Sequence, residues 1–129
     1  MAEIKVMATA GFQEAYLELV PEFERTTGHK VVTLWAPTVD VISRIKGGET
    51  VDLVLMAAAA IDELIKAGKI VPGSRVDIAS SGIGVAVRAG APKPDISSAE
   101  AFERTLLAAK SIVYSFGPSG VYLAGLFER

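Results

Sequence analysis

The chain has 129 residues, 50% of them apolar, and its 13 basic and 15 acidic side chains leave a net charge of −2. With no basic run and no interleaved aromatic patch, this balance argues against nucleic acid as a partner. The absence of cysteine removes disulfides, thiolate zinc sites and cysteine nucleophiles together.

Ile4 to Ala8 reads as a short strand at the very start of the chain. No basic-then-apolar leader precedes it, and no apolar run of about 18 residues is present to span a bilayer. The chain therefore reads either as cytosolic or as one whose leader has been removed. Gly11-Phe12 makes a turn, and Phe12, Ala15, Leu19 and Phe23 recur at helical spacing up to Thr27, with Gly28 as the stop. Lys30 to Trp35 is a second strand, and Val41, Ile42 and Ile45 share one face of a short helix ended by Gly47-Gly48. Asp52 to Met56 is a third strand, continuously apolar as in a parallel sheet covered on both faces. Ala57 to Ala60 then leads into a helix carrying Ile61, Leu64 and Ile65, stopped by Gly68. This alternation predicts an α/β fold with a parallel, doubly wound βα sheet.

Beyond Gly68 the pattern changes. Arg75 to Ala89 is too long for one ordinary strand and has Gly84 near its centre, so it reads as a hinge. Gly90 to Pro94 is a loop, and Ser98 caps a helix in which Ala101, Phe102, Thr105, Leu106 and Ala109 share a face. Ser111 to Tyr114 is predicted as a strand, and a helix begins near Ser119. The expected organisation is a first lobe over 1–82 with three βα units, then the hinge and first part of a second lobe over 83–129. The last helix reaches Arg129 with no Gly, Asn or Pro to end it, so the chain reads as part of a longer two-lobed protein. Apolar surface left open in this way is a place where two copies could associate.

Three strand-to-helix turns stand out. Ser115-Phe116-Gly117-Pro118-Ser119 leaves backbone N–H groups at a helix start beside the hydroxyls of Ser115 and Ser119, a setting that suits an anion. Thr9-Ala10-Gly11 and Ala36-Pro37-Thr38 are turns of the same kind, and Thr9 and Thr38 fall at the carboxyl ends of strands, where ligands bind in such sheets. The candidate ligand-binding residues are Thr9, Ala10, Thr38, Ser115 and Ser119, expected to converge on one small ligand. Each also has a structural reading: the threonines as turn residues, Ser119 as a helix cap. Trp35 and Tyr122 read as core or wall residues and Asp52 as structural. Asp40 and Arg44, four residues apart on a helix, read as a solvated ion pair. His29 is the only histidine and sits in a turn, so no histidine-paired metal site is expected.

Catalysis finds no support in the motifs. There is no phosphate loop and no Gly-x-Gly-x-x-Gly opening a first helix, and Gly82-Ile83-Gly84 runs into strand-like Val-Ala-Val. Gly117-Pro118-Ser119-Gly120 lacks the spacing of a nucleophile elbow. Neither an enzyme nor a cofactor is expected.

The residues do resemble the type II periplasmic solute-binding proteins, and within them the molybdate-binding proteins of ABC importers. The resemblance rests on Gly28-His29-Lys30-Val31, Val51-Asp52-Leu53-Val54-Leu55, Ile61-Asp62-Glu63-Leu64-Ile65-Lys66-Ala67-Gly68, Val71-Pro72-Gly73-Ser74-Arg75 and, most strongly, Gly117-Pro118-Ser119-Gly120-Val121-Tyr122. It implies a type II periplasmic-binding-protein-like fold in two lobes, the second incomplete here because members are about twice this length. It also implies a periplasmic location, a membrane permease as partner, and a tetrahedral oxyanion held by hydroxyls and amides without a balancing Arg or Lys. The family's first serine-bearing turn falls on Thr9-Ala10, its second on Pro37-Thr38 and its helix-start amide on Ser119. Two departures remove donors: Pro37 has no N–H, and Ala57 to Ala60 stand where an Asn is common. They keep open another oxyanion or a small organic acid as ligand, and a ligand-sensing regulatory domain on the same fold remains the alternative role.

Overall fold

Short apolar strands separated by amphipathic helices can only pair in parallel, because each helix returns the chain to the same end of the sheet. In the computed structural model, which describes residues 1–129, β1 (Glu3–Ala8), β2 (Lys30–Trp35) and β3 (Leu53–Leu55) form a parallel sheet in the order β2-β1-β3. Helix α1 (Gln13–Thr27) joins β1 to β2, α2 (Thr38–Lys46) carries the chain across to β3, and α3 (Ala58–Lys66) follows it. Since β2 and β3 flank β1 on opposite sides, crossovers of one hand place their helices on opposite faces. The sheet is doubly wound, as the alternation of elements predicts.

The side chains follow from the period of two along β1. Met7 points to one face, where it packs with Val41 and Ile45 of α2, Leu64 of α3 and half-buried Val54. Val6 and Ala8 point to the other, against Tyr16 of α1 with Val31, Trp35 and Leu55. The central strand is therefore closed on both sides, and Met7, Val41 and Leu64 are the largest fully buried side chains. The Tyr16 ring meets Trp35 edge-on at 5.1 Å, and its hydroxyl lies 2.5 Å from Thr33 Oγ1.

Polar groups fix the register at the amino end of the sheet. Asp52 accepts the Lys5 N–H at 2.8 Å through its carboxylate, while its own N–H donates to the Lys5 carbonyl at 2.9 Å. Helix α1 ends at Gly28, whose φ of +72° lies in the left-handed region that a side chain disfavours. Glu24 then accepts the Val31 N–H at 2.8 Å, tying the end of α1 to β2. That bond, with the nearby Lys30 ammonium, holds the Glu24 carboxyl below its usual range.

The chain divides into two compact units, Met1–Ile78 and Ala79–Arg129. The second contains α4 (Ala99–Ala108) and α5 (Pro118–Phe127), with Ser98 Oγ capping α4 by accepting the Ala101 N–H at 3.1 Å. The strand predicted over Ser111–Tyr114 does not form: the segment joins no sheet, and Val113 is 93% exposed. A strand is held by its neighbours' hydrogen bonds, and no other segment of this unit supplies them. The stretch over 75–89 is likewise in no strand, with Ile83, Val85 and Val87 exposed. The third strand is also shorter than expected, Leu53–Leu55 in place of Asp52–Met56.

Candidate functional site

In the first unit, the carboxyl ends of all three strands are stitched together. The Thr9 N–H donates to the Leu55 carbonyl at 3.0 Å, and the Ala36 N–H to the Ala8 carbonyl at 3.1 Å. The turns following β1, β2 and β3 consequently leave the sheet side by side. Thr9, Ala10 and Thr38 are brought to this one edge, together with Ala57 after β3.

What these turns have in common is a missing cap. The 3₁₀ turn Ala10–Phe12 is preceded by Thr9, α2 by Pro37 and α3 by Ala57, and none of these side chains accepts a hydrogen bond from the helical N–H groups behind it. Pro and Ala cannot; Thr9 can but does not. At α4, by contrast, Ser98 occupies the cap position and does the work. The first-turn N–H groups and the positive ends of the helix dipoles are thus directed at the sheet edge without a protein acceptor from a capping side chain. The donors differ along the edge. Thr9 has spent its amide on Leu55 and offers only its hydroxyl, while Pro37 has no amide to offer. Thr38 supplies a hydroxyl and stands at the start of α2.

A hollow of about 290 Å³ lies beside this edge, lined by Ala36, Asp40, Ser43 and Arg44. The ion pair expected between Asp40 and Arg44 is absent. Arg44 Nε instead reaches Glu49 Oε2 at 3.0 Å, because the turn at Gly47-Gly48 brings Glu49 back alongside the last turn of α2. His29, in the turn after α1, is half-buried, and its Nδ1 accepts the Ala2 N–H at 3.2 Å.

In the second unit, Ser115 and Ser119 come together with their hydroxyl oxygens 3.1 Å apart. Pro118 occupies the first turn of α5, where its missing N–H costs nothing, and Gly117 ahead of it provides no side-chain cap. The approach of Ser115 to the helix is possible only because residue 120 is glycine. A Cβ there would overlap the Ser115 carbonyl oxygen and stand 2.6 Å from its carbonyl carbon. Ser119 also lines a cavity of about 520 Å³ with Pro118, Tyr122, Ser81, Gly82 and Ile83. The sequence reads Tyr122 as a core or wall residue and Gly82-Ile83 only as a failed dinucleotide fingerprint, and it does not bring them or Ser81 together with Ser119. Their signal, a Ser-Ser-Gly triplet at 80–82, sits inside the stretch read as a hinge.

A family model described as bacterial extracellular solute-binding protein matches residues 4–129. The chain belongs to this family. Among curated relatives, an aconitate isomerase from Pseudomonas sp is 40% identical over 98% of this chain and 50% of its own length. The molybdate-binding protein ModA of Azotobacter vinelandii is 37% identical over 57% of this chain and 30% of its own. The chain therefore spans half or less of the length of these relatives. Among solved structures, a substrate binding domain assigned to a molybdenum ABC transporter from Clostridium difficile aligns with TM-score 0.48 and 16% identity. It covers 52% of this chain and 30% of that one. The tungstate binding protein TupA from Desulfovibrio alaskensis G20 aligns with TM-score 0.45 and 22% identity, over 53% and 28% of the two chains.

Proposed function

We propose that the chain is the ligand-capturing part of a solute-binding protein that takes up a small anion and presents it to a membrane permease outside the cytoplasm. The observation that carries this reading is the set of uncapped helical N-termini side by side at one sheet edge. A bound anion would supply the acceptor that the cap positions do not. Thr9, Ala10 and Thr38 serve as donors at this edge of the first unit; the second unit, taken by itself, offers the hydroxyl of Ser119, backed by Ser115. Neutral donors of this kind fix a tetrahedral oxyanion geometrically and select it by donor count and cavity size. An oxyanion of the molybdate or tungstate class fits that chemistry, and the ModA relative supports it.

A second reading, a small organic acid, is favoured by a separate observation: the relative named aconitate isomerase matches nearly the whole chain, the ModA relative little more than half. The donors lost at Pro37 and Ala57 also weaken a cage for a bare tetrahedral ion. Trp35 ends β2 three residues before Thr38 and stacks edge-on against Tyr16, so its fluorescence reports on this edge. Titration with molybdate, tungstate, sulfate, phosphate and a tricarboxylate should give a saturable change with a subset of these. A flat response to all of them, with no heat of binding by calorimetry, would refute anion capture by this chain.

A further inference from the structure

The segment Ser111–Ser115 has the composition of a strand and no strand beside it. Its backbone makes no hydrogen bond to another segment, and Val113 and the following Phe116 stand 93% and 105% exposed. Two contacts hold it along α5: the Tyr114 ring meets Phe127 edge-on at 5.9 Å, and the Ser115 carbonyl closes on Gly120. Within Ala79–Arg129 the only buried apolar side chain is Ala101, so this unit has no core of its own into which the segment could withdraw.

What covers this face follows from its charge, its residue order and its area. From Ser111 to Phe127 there is no charged side chain, so an oppositely charged partner gains nothing here and two identical faces do not repel. The order Ser-Ile-Val-Tyr-Ser is self-complementary. Run antiparallel against itself about Val113, it sets Ser111 opposite Ser115, Ile112 opposite Tyr114 and Val113 opposite its own counterpart. Weighted by exposure, Ile112, Val113, Tyr114, Phe116, Val121 and Phe127 present about 600 Å² on one copy and about 1,200 Å² on two, enough for a specific interface.

We infer that this face is covered by a second copy of the chain, the two Ser111–Ser115 segments pairing antiparallel across a two-fold axis at Val113. Each copy then supplies the carbonyls and N–H groups that the other's segment lacks, as in strand addition at a sheet edge. The pairing does not depend on which ligand the protein takes.

The test is sedimentation equilibrium of the 129-residue chain from micromolar to NMR concentrations, which should give twice the mass of one chain. The amides of 112–114 should exchange more slowly in the dimer than in the dissociated chain. Val113→Lys and Val113→Glu alter a side chain that one copy leaves in water, so both should keep the parent's far-UV spectrum. Each alone should weaken association about 100-fold or more, because like charges meet across the axis. Mixed in equal amounts, the two variants should dimerise again, Lys facing Glu. A monomer at every concentration would overturn the inference and give the face to a different occupant. A dimer that both charged variants leave intact, or whose loss is not repaired by mixing them, would overturn the pairing at Val113.

Discussion

Two glycines in one helix should respond in opposite directions to the same substitution. Gly120 and Gly125 both lie in α5, where replacing glycine by alanine ordinarily stabilises a helix by about 0.5–1 kcal/mol. At Gly125 nothing lies within 4 Å of an added Cβ, so Gly125→Ala should gain that amount. At Gly120 the new methyl would overlap the Ser115 carbonyl, a backbone atom that cannot swing aside as a side chain could. Restoring ordinary carbon-to-oxygen contact requires the 115–117 turn and the first turn of α5 to part by roughly 2 Å. Overpacking of this kind costs about 1–3 kcal/mol, which outweighs the gain in helix propensity. The gain in helix propensity is common to both variants, so the expected separation between them is the overpacking cost, about 1–3 kcal/mol. Amide hydrogen exchange resolved along α5 gives the direct reading: slower exchange in Gly125→Ala, and exchange about 5- to 150-fold faster in Gly120→Ala than in Gly125→Ala. Equal stabilisation by both would refute the close approach of Ser115 to α5, and with it the placement of the Ser115–Ser119 pair.

Leu64 is fully buried between α3 and the sheet, so Leu64→Ala should cost about 2–5 kcal/mol in urea unfolding, followed by Trp35 fluorescence. Thr38→Ala should weaken the anion bound at the sheet edge about 5- to 20-fold without lowering the thermal midpoint, because the Thr38 hydroxyl caps nothing. The pH dependence follows from Glu24. Its carboxyl is held low by the Val31 N–H, so its contribution is present above the ordinary glutamate value of 4.5 and is lost as pH falls through the lower value of the folded state. Glu24→Gln should accordingly flatten the acid side of the stability profile below about pH 5. A profile identical to that of the parent would mean that the Glu24–Val31 bond carries no pH-dependent stability.

Much of the first unit can be read along the chain because each signal there is local. The strand over Lys30–Trp35 and the helix stop at Gly28 coincide with their elements, since period-two burial and a left-handed glycine are properties of neighbouring residues. The buried face of α2 is equally legible: Val41 and Ile45 are buried and Ile42 half-buried. Even the sheet edge carrying Thr9 and Thr38 follows from connectivity, because parallel strands put every strand-to-helix turn at the same end.

Long-range pairing was not legible. Ser111–Tyr114 has the composition of a strand, yet it forms none, because a strand exists only where a second one offers hydrogen bonds. Arg44 turned to Glu49 and not to Asp40 because a glycine turn decides which carboxylate comes near. The missing caps at Pro37 and Ala57 could be read from their side chains, but not that Thr9, which can cap, leaves its helical turn open. The cavity joins Ser81 to Ser119 across 38 positions of chain, a distance that no local pattern bridges. By itself, then, the sequence determined the βα alternation, the sheet edge and the small hydroxyl-bearing residues at its turns. Tertiary structure alone decided which donors are free, which ion pairs form and which residues share a cavity, because those depend on partners remote in the chain.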